Sequence, residues 1–346
     1  MRFYNRKRKS NIELLRIFSM IGIISLHYFS PEFGGGNEFS FPDIRWIFIF
    51  GSTCLALPLV NCFVLITGYF IGTEREIEIG KICELLLITI IYGFGSYCIA
   101  CVKELVDFSV KGLLFAIFPF FAGRRWFIET YVILLLIAPF INIIIRECDK
   151  KALRILISIQ IFLFCIWYSI GFSAPILDDG YGIINFITLY LIGAYIKKYQ
   201  AELKLPKTWI CILLYGILCT MTFILNFRIN PFGYSFITNI LAAIILFVGF
   251  LNWKIVVKPY INTLSAFVLD VYFIHTDKIL GKYLFQNILK SANTYSIYFL
   301  IVHWLVSIVI IYTIGILVGI IRKKIFEKVL YHNKEFEKIF KLKISI

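Results

Sequence analysis

Arginine and histidine on one face of one apolar helix form the clearest pattern for chemistry in this chain. In the segment RIFSMIGIISLH, Arg16 and His27 stand eleven residues apart. At 3.6 residues per turn that spacing returns to within about 20° of the same face, and the rise separates the two by roughly 16 Å. Ionisable groups inside an apolar span are costly and rare, so each marks a functional site by default. The planar guanidinium fork suits phosphate. An imidazole titrating near neutrality suits taking a proton from an alcohol. Together they describe a track across a bilayer, with an anion holder at one end and a proton acceptor at the other.

Other polar residues extend the pattern. The segment LSAFVLDVYFIHTD carries Asp270 in mid-span and His275 at its outer end. Five residues turn a helix through about 140°, so these two meet different neighbours. His27, His275 and His303 share one outer depth, which predicts an outward-facing polar cavity; His332 falls in the C-terminal tail. The segment GRRWFIETY brings Arg124, Arg125, Trp126, Glu129 and Tyr131 to the same side. Interface anchoring accounts for Trp126 alone, but not for two arginines and a carboxylate entering a span. At the inner side, FVLITGYFIG sets Thr67 and Gly68 for close helix approach and Tyr69 near the surface, followed by Arg75, Lys81 and Glu84.

The elements that position these residues are membrane spans. The chain has 346 residues, is 60% hydrophobic and has a mean hydropathy of +0.85. Apolar runs of about 20 residues suffice to cross a bilayer core, and backbone in lipid must be helical. Such runs fall near 12–30, 47–72, 82–101, 126–145, 153–170, 183–197, 208–227, 235–252, 262–277 and 296–321. The expected fold is all-α integral membrane, a bundle of about ten transmembrane helices forming one domain over 1–346. A basic N-terminus (1–10) and a basic amphipathic tail (322–346) flank it. No small-residue cleavage site follows the first run, which reads as a retained helix.

Charge sets the topology. The net charge is +14, yet 25 of the 35 lysines and arginines fall in one set of alternate loops and nine in the other, Arg16 lying between. The positive-inside rule puts both termini in the cytoplasm. The basic tail is expected on the anionic inner leaflet. Positive charge is thus topological, and no nucleic-acid partner is expected. The nine cysteines lie mostly within helices. Cys98 and Cys101 form a C-x-x-C with no second pair, so they read as apolar packers, with no metal site.

In order along the chain, five segments resemble the integral-membrane acyltransferases known as acyltransferase-3. NIELLRIFSMIGIISLHYF is similar to that family's R-x10-H first helix, FVLITGYFIG to its S/T-G-Y/F-F signature, and WFIETYVILLLIAPFIN to its W-F-x-x-x-Y…L-x-P-x-x-N helix. FVLDVYFIHTD is similar to its Y-L-I-H segment and IIRKKIFE to its closing basic stretch. The resemblance implies an enzyme that moves an acyl group, usually acetyl from acetyl-CoA, onto a sugar hydroxyl of an exported or surface glycan. It implies acyl-CoA, a glycan or lipid-linked sugar and membrane lipid as partners, with no bound cofactor. Arg16 then matches the donor-holding arginine, helped by Arg75, Lys81 and Tyr69. His27 matches the transfer histidine, with Asp270 and His275 as further catalytic candidates. Arg124, Arg125, Trp126, Glu129, Tyr131 and His303 are the expected acceptor side. Two stretches depart from the family: KICE (Lys81 to Glu84) stands where many members have R-x-x-R, and 296–321 holds no carboxylate. An envelope polysaccharide transporter or polymerase is the alternative, although no inverted repeat is visible. The composition and the absence of eukaryotic targeting signals point to a bacterial cell membrane.

Overall fold

Long apolar runs with few helix breakers dictate helices, and helices are what form. The computed structural model describes residues 9–35, 39–118, 125–171, 178–254, 258–291, 296–329, 338 and 342–345. Among these, seven helices are long and apolar enough to cross a membrane. They are α1 (Ser10–Phe29), α2 (Ile44–Ile71), α3 (Ile79–Val102), α5 (Trp126–Glu147), α6 (Lys150–Ser169), α8 (Thr208–Leu225) and α13 (Ile297–Val329). A short helix, α4 (Val110–Ile117), follows α3. Three further expected spans are occupied by shorter helices: α7 (Ile183–Tyr199), α9 (Ile237–Asn252), and the pair α10 (Pro259–Ser265) and α11 (Val268–His275). Bulky apolar side chains such as Phe140, Trp209, Ile212, Val309 and Leu317 are exposed, as lipid-facing positions require.

The run read as one span over 262–277 is broken. At Ala266 and Phe267 the backbone N–H groups bond three residues back, to Thr263 and Leu264. The two halves answer to different partners: Ser265 is tied to α1, and Asp270 to α13. A tight break inside a span is tolerated when protein, not lipid, surrounds it. After α11 the chain makes α12 (Leu280–Tyr283), which runs on as a π-helical turn over Leu284–Ile288.

Close approach fixes α2 against α7. A Cβ on Gly68 would lie 2.1 Å from the Tyr190 carbonyl oxygen, and one on Gly193 would lie 2.3 Å from that of Leu65. Small residues thus bring two backbones together where lipid supplies no hydrophobic drive. Helix α1 packs on α2, α10, α11 and α13, so its polar face looks into the bundle. Asp43 caps α2 by accepting from the Arg45 N–H, and its hydrogen bonds from Arg45 hold the carboxyl below its usual range.

Part of the C-terminal tail folds back. Strand β1 (Glu76–Glu78) pairs antiparallel with β2 (Lys343–Ser345), Glu76 opposite Ser345. The Lys343 ammonium donates to Glu76 at 2.8 Å, which raises its pKa. These residues join the loop after α2, where a tail on the leaflet was expected; residues 330–337 lie outside the described residues.

Candidate active site

Helix geometry places Arg16 and His27 on one wall of a cavity of about 1960 Å³. The end expected to be inner is lined by Glu13, Arg16, Glu78, Lys81, Glu84, Arg322 and Glu327, and the end expected to be outer by His27, Arg125, Trp126, Tyr181 and Tyr234. Apolar side chains from α1 and α2, including Met20, Ile23, Leu57 and Val60, line the stretch between. A passage with polar ends and an apolar waist suits a ligand with a charged head and a thin flexible arm.

At the inner end Arg16, Lys81 and Arg322 are each paired with an acid. Arg16 donates through Nη1 to Glu13 Oε1, while Glu13 Oε2 accepts from the Ser265 hydroxyl at 2.5 Å. Phe70 lies 5.7 Å from the guanidinium. Glu13 was not singled out in the sequence, although its position three residues before Arg16 was the available signal. Lys81 pairs with Glu78 at 3.0 Å. Arg322 pairs with Asp270 through Nε at 2.5 Å and Nη2 at 3.0 Å. Glu74, Glu84 and Glu327 also line this end, so it holds no excess of positive charge.

Asp270, expected among the catalytic groups, is fully buried away from the cavity lining, and Tyr92 donates to its Oδ1 at 2.7 Å. Its carboxylate holds Arg322 in place. A Cβ on Gly319 would meet Asp270 Oδ2 at 2.7 Å, so the last helix must be bare there for the pair to form. Tyr69 likewise turns from the cavity: it is buried, donates to Gln200 and accepts from Lys9. Arg75 lines a separate shallow pocket with Arg146 and Lys198.

The outer end combines aromatic rings with Arg125. That arginine is buried, donates through Nη2 to Asp277 at 3.0 Å and lies 4.9 Å from the Phe273 ring. Asp277, two residues beyond His275, was missed in the sequence. Trp126 stacks on Tyr234 (5.3 Å, 25°) with Tyr181 edge-on at 4.5 Å, so the cavity meets an aromatic cluster and not a lone indole. Tyr131 lines the wall and bonds the Thr67 hydroxyl at 2.9 Å. Glu129 accepts from the Arg125 backbone N–H and steadies the start of α5. Arg124 lies outside the described residues.

Of the three histidines read at one depth, two come together. The His27 and His275 rings stand 5.1 Å apart, with Phe33 covering His27 at 4.6 Å. His303 is elsewhere: its Nε2 donates to the Leu289 carbonyl at 2.8 Å and its Nδ1 accepts from Tyr28 at 2.7 Å. Equal depth did not mean equal face. Asn142, from the P-x-x-N stretch, is fully buried and donates to the carbonyls of Ile71 and Glu74. It thereby secures the turn that leads to Lys81. Among the described residues no group of three or more metal-ligating side chains exists.

An all-α membrane bundle enclosing a cavity with a guanidinium at one end and an imidazole at the other belongs to the polytopic membrane enzymes. The acyltransferase domain of the acyltransferase-3 family matches residues 9–322, and the chain belongs to that family. It is an integral-membrane acyltransferase, which favours the enzyme over the transporter or polymerase alternative. No curated protein and no solved structure matches the chain.

Proposed function

We propose that the protein transfers an acyl group, expected to be acetyl, from cytoplasmic acyl-CoA to a hydroxyl of an exported or cell-surface glycan. The observation that carries this reading is the single cavity lined by both Arg16 and His27. Phosphates of the donor sit at Arg16, Lys81 and Arg322, and the pantetheine arm follows the apolar waist toward His27. The acceptor enters at the outer end against Trp126, Tyr181 and Tyr234, where flat aromatic faces suit sugar rings and Arg125 suits hydroxyl oxygens.

His27 takes the hydroxyl proton as the sugar oxygen attacks the thioester carbonyl. The carbonyl re-forms as the C–S bond breaks. The departing sulfur takes the proton from the imidazolium, leaving an ester and free coenzyme A. Holding both reactants in one enclosed space supplies most of the orientation the reaction needs. An acyl-histidine relay would use the same imidazole and the same cavity, with the acyl group resting on the ring between donor and acceptor.

The charge split supports both termini lying in the cytoplasm. The test separates binding from transfer. Arg16→Ala should lose coenzyme A binding in calorimetry, while His27→Gln should bind coenzyme A normally and leave the surface glycan unacylated by mass spectrometry. Normal coenzyme A affinity in Arg16→Ala, or an acylated glycan with His27→Gln, overturns the assignment.

A further inference from the structure

A buried imidazole beside a half-buried one that lines the cavity, each with a buried ring nitrogen lacking a partner, is chemically unfinished. His275 is fully buried, and its Nδ1 lies 2.6 Å from the Val271 carbonyl oxygen. A carbonyl only accepts, so Nδ1 carries the hydrogen. In the neutral ring Nε2 is then a bare acceptor. That Nε2 is buried and has no hydrogen-bond partner, and the same holds for Nδ1 of His27. A buried polar atom left unbonded is costly, and here one unmet acceptor stands beside an imidazole with an unmet nitrogen.

The rings stand at the right separation to satisfy each other. A ring nitrogen lies about 1.2 Å from its centroid, so a linear N–H···N bond of about 2.9 Å sets centroids roughly 5.3 Å apart. The observed separation is 5.1 Å, with the ring planes at 57°.

Resting on the proposed role of His27, we propose that His275 is a positioning residue that fixes the His27 tautomer. His275 Nε2 accepts from His27 Nδ1–H, which leaves His27 Nε2 as the lone pair turned to the cavity. The backbone carbonyl of Val271 sets His275, and His275 sets His27. This imidazole relay occupies the place that a carboxylate holds behind a catalytic histidine elsewhere. It needs no charge behind the base, in keeping with Asp270 being committed to Arg322. His303 is excluded from the relay because both of its nitrogens are bonded.

Two variants and one spectrum test it. His275→Phe keeps the ring volume and removes the acceptor, whereas His275→Gln returns an acceptor oxygen near the Nε2 position. His275→Phe should lower kcat by 100-fold or more, about 2.7 kcal/mol, with KM for both substrates within a factor of two. His275→Gln should recover to within tenfold of the parent. Nitrogen NMR of histidine-labelled protein in nanodiscs should show His27 as the Nδ1–H tautomer in the parent and a mixture in His275→Phe. The tautomer reading does not depend on turnover, so it tests the pairing even if His27 proves not to be the base. A His27 signal unchanged by His275→Phe, or a glutamine variant as slow as the phenylalanine one, overturns the proposal.

Discussion

Removing the Asp270 carboxylate tests whether that residue anchors or catalyses. Asp270 is fully buried and accepts three hydrogen bonds, two from Arg322 and one from Tyr92. Breaking a buried ion pair by deleting one partner costs about 3–5 kcal/mol, because the other charge is stranded. The Arg322 side chain is 14% exposed and borders the cavity, so it swings toward water and recovers part of that loss. Asp270→Ala should therefore destabilise by about 3 kcal/mol, the low end of the range. Arg322→Met combined with Asp270→Ala leaves no stranded charge and should be the more stable protein of the two. Denaturant titration in mixed micelles gives both numbers. With Asp270 seven or so ångströms along the helix from His275 and about 140° round it, Asp270→Asn should keep kcat within tenfold while weakening donor affinity through Arg322. Additive losses in the double variant, or a collapse of kcat at unchanged stability and donor affinity, would refute the anchoring argument.

Further outcomes follow from the same contacts. Gly68→Val should destabilise or block folding, because its Cβ would lie 2.1 Å from the Tyr190 carbonyl oxygen on a helix that cannot yield; expression and thermal stability measure it. His303→Phe loses two hydrogen bonds and should lower stability by about 1–3 kcal/mol with both KM values unchanged; a shift in acceptor KM would return His303 to the acceptor site. Reporters fused after residues 35, 150, 178 and 202 should read outside, inside, outside, inside, and two reversed positions would sink the topology.

The Arg16 to His27 track was readable because both residues lie on one helix, where spacing fixes face and rise. The close approach at Gly68 was readable for the same local reason. What the sequence concealed is tertiary. Asp270 looked catalytic by type and depth, but its role is decided by Arg322, 52 residues away. His27 and His303 share a depth, yet His303 meets Tyr28, about 100° round α1 from His27. Tyr69 has the expected height and the wrong face, since α2 turns it toward Lys9 and Gln200. The break at Ala266 and Phe267 lies inside an apolar run with no proline or glycine to mark it, and only its contacts to α1 and α13 explain it.

The central claim is that one cavity joins a cytoplasmic donor to an outward acceptor through His27. Sealed membrane vesicles of defined orientation, carrying the acceptor glycan and supplied with labelled acetyl-CoA, test it most directly. Label should reach the glycan only when acetyl-CoA meets the cytoplasmic face, and both Arg16→Ala and His27→Gln should abolish it. Equal labelling from either face, or undiminished labelling in the His27→Gln vesicles, would contradict the account.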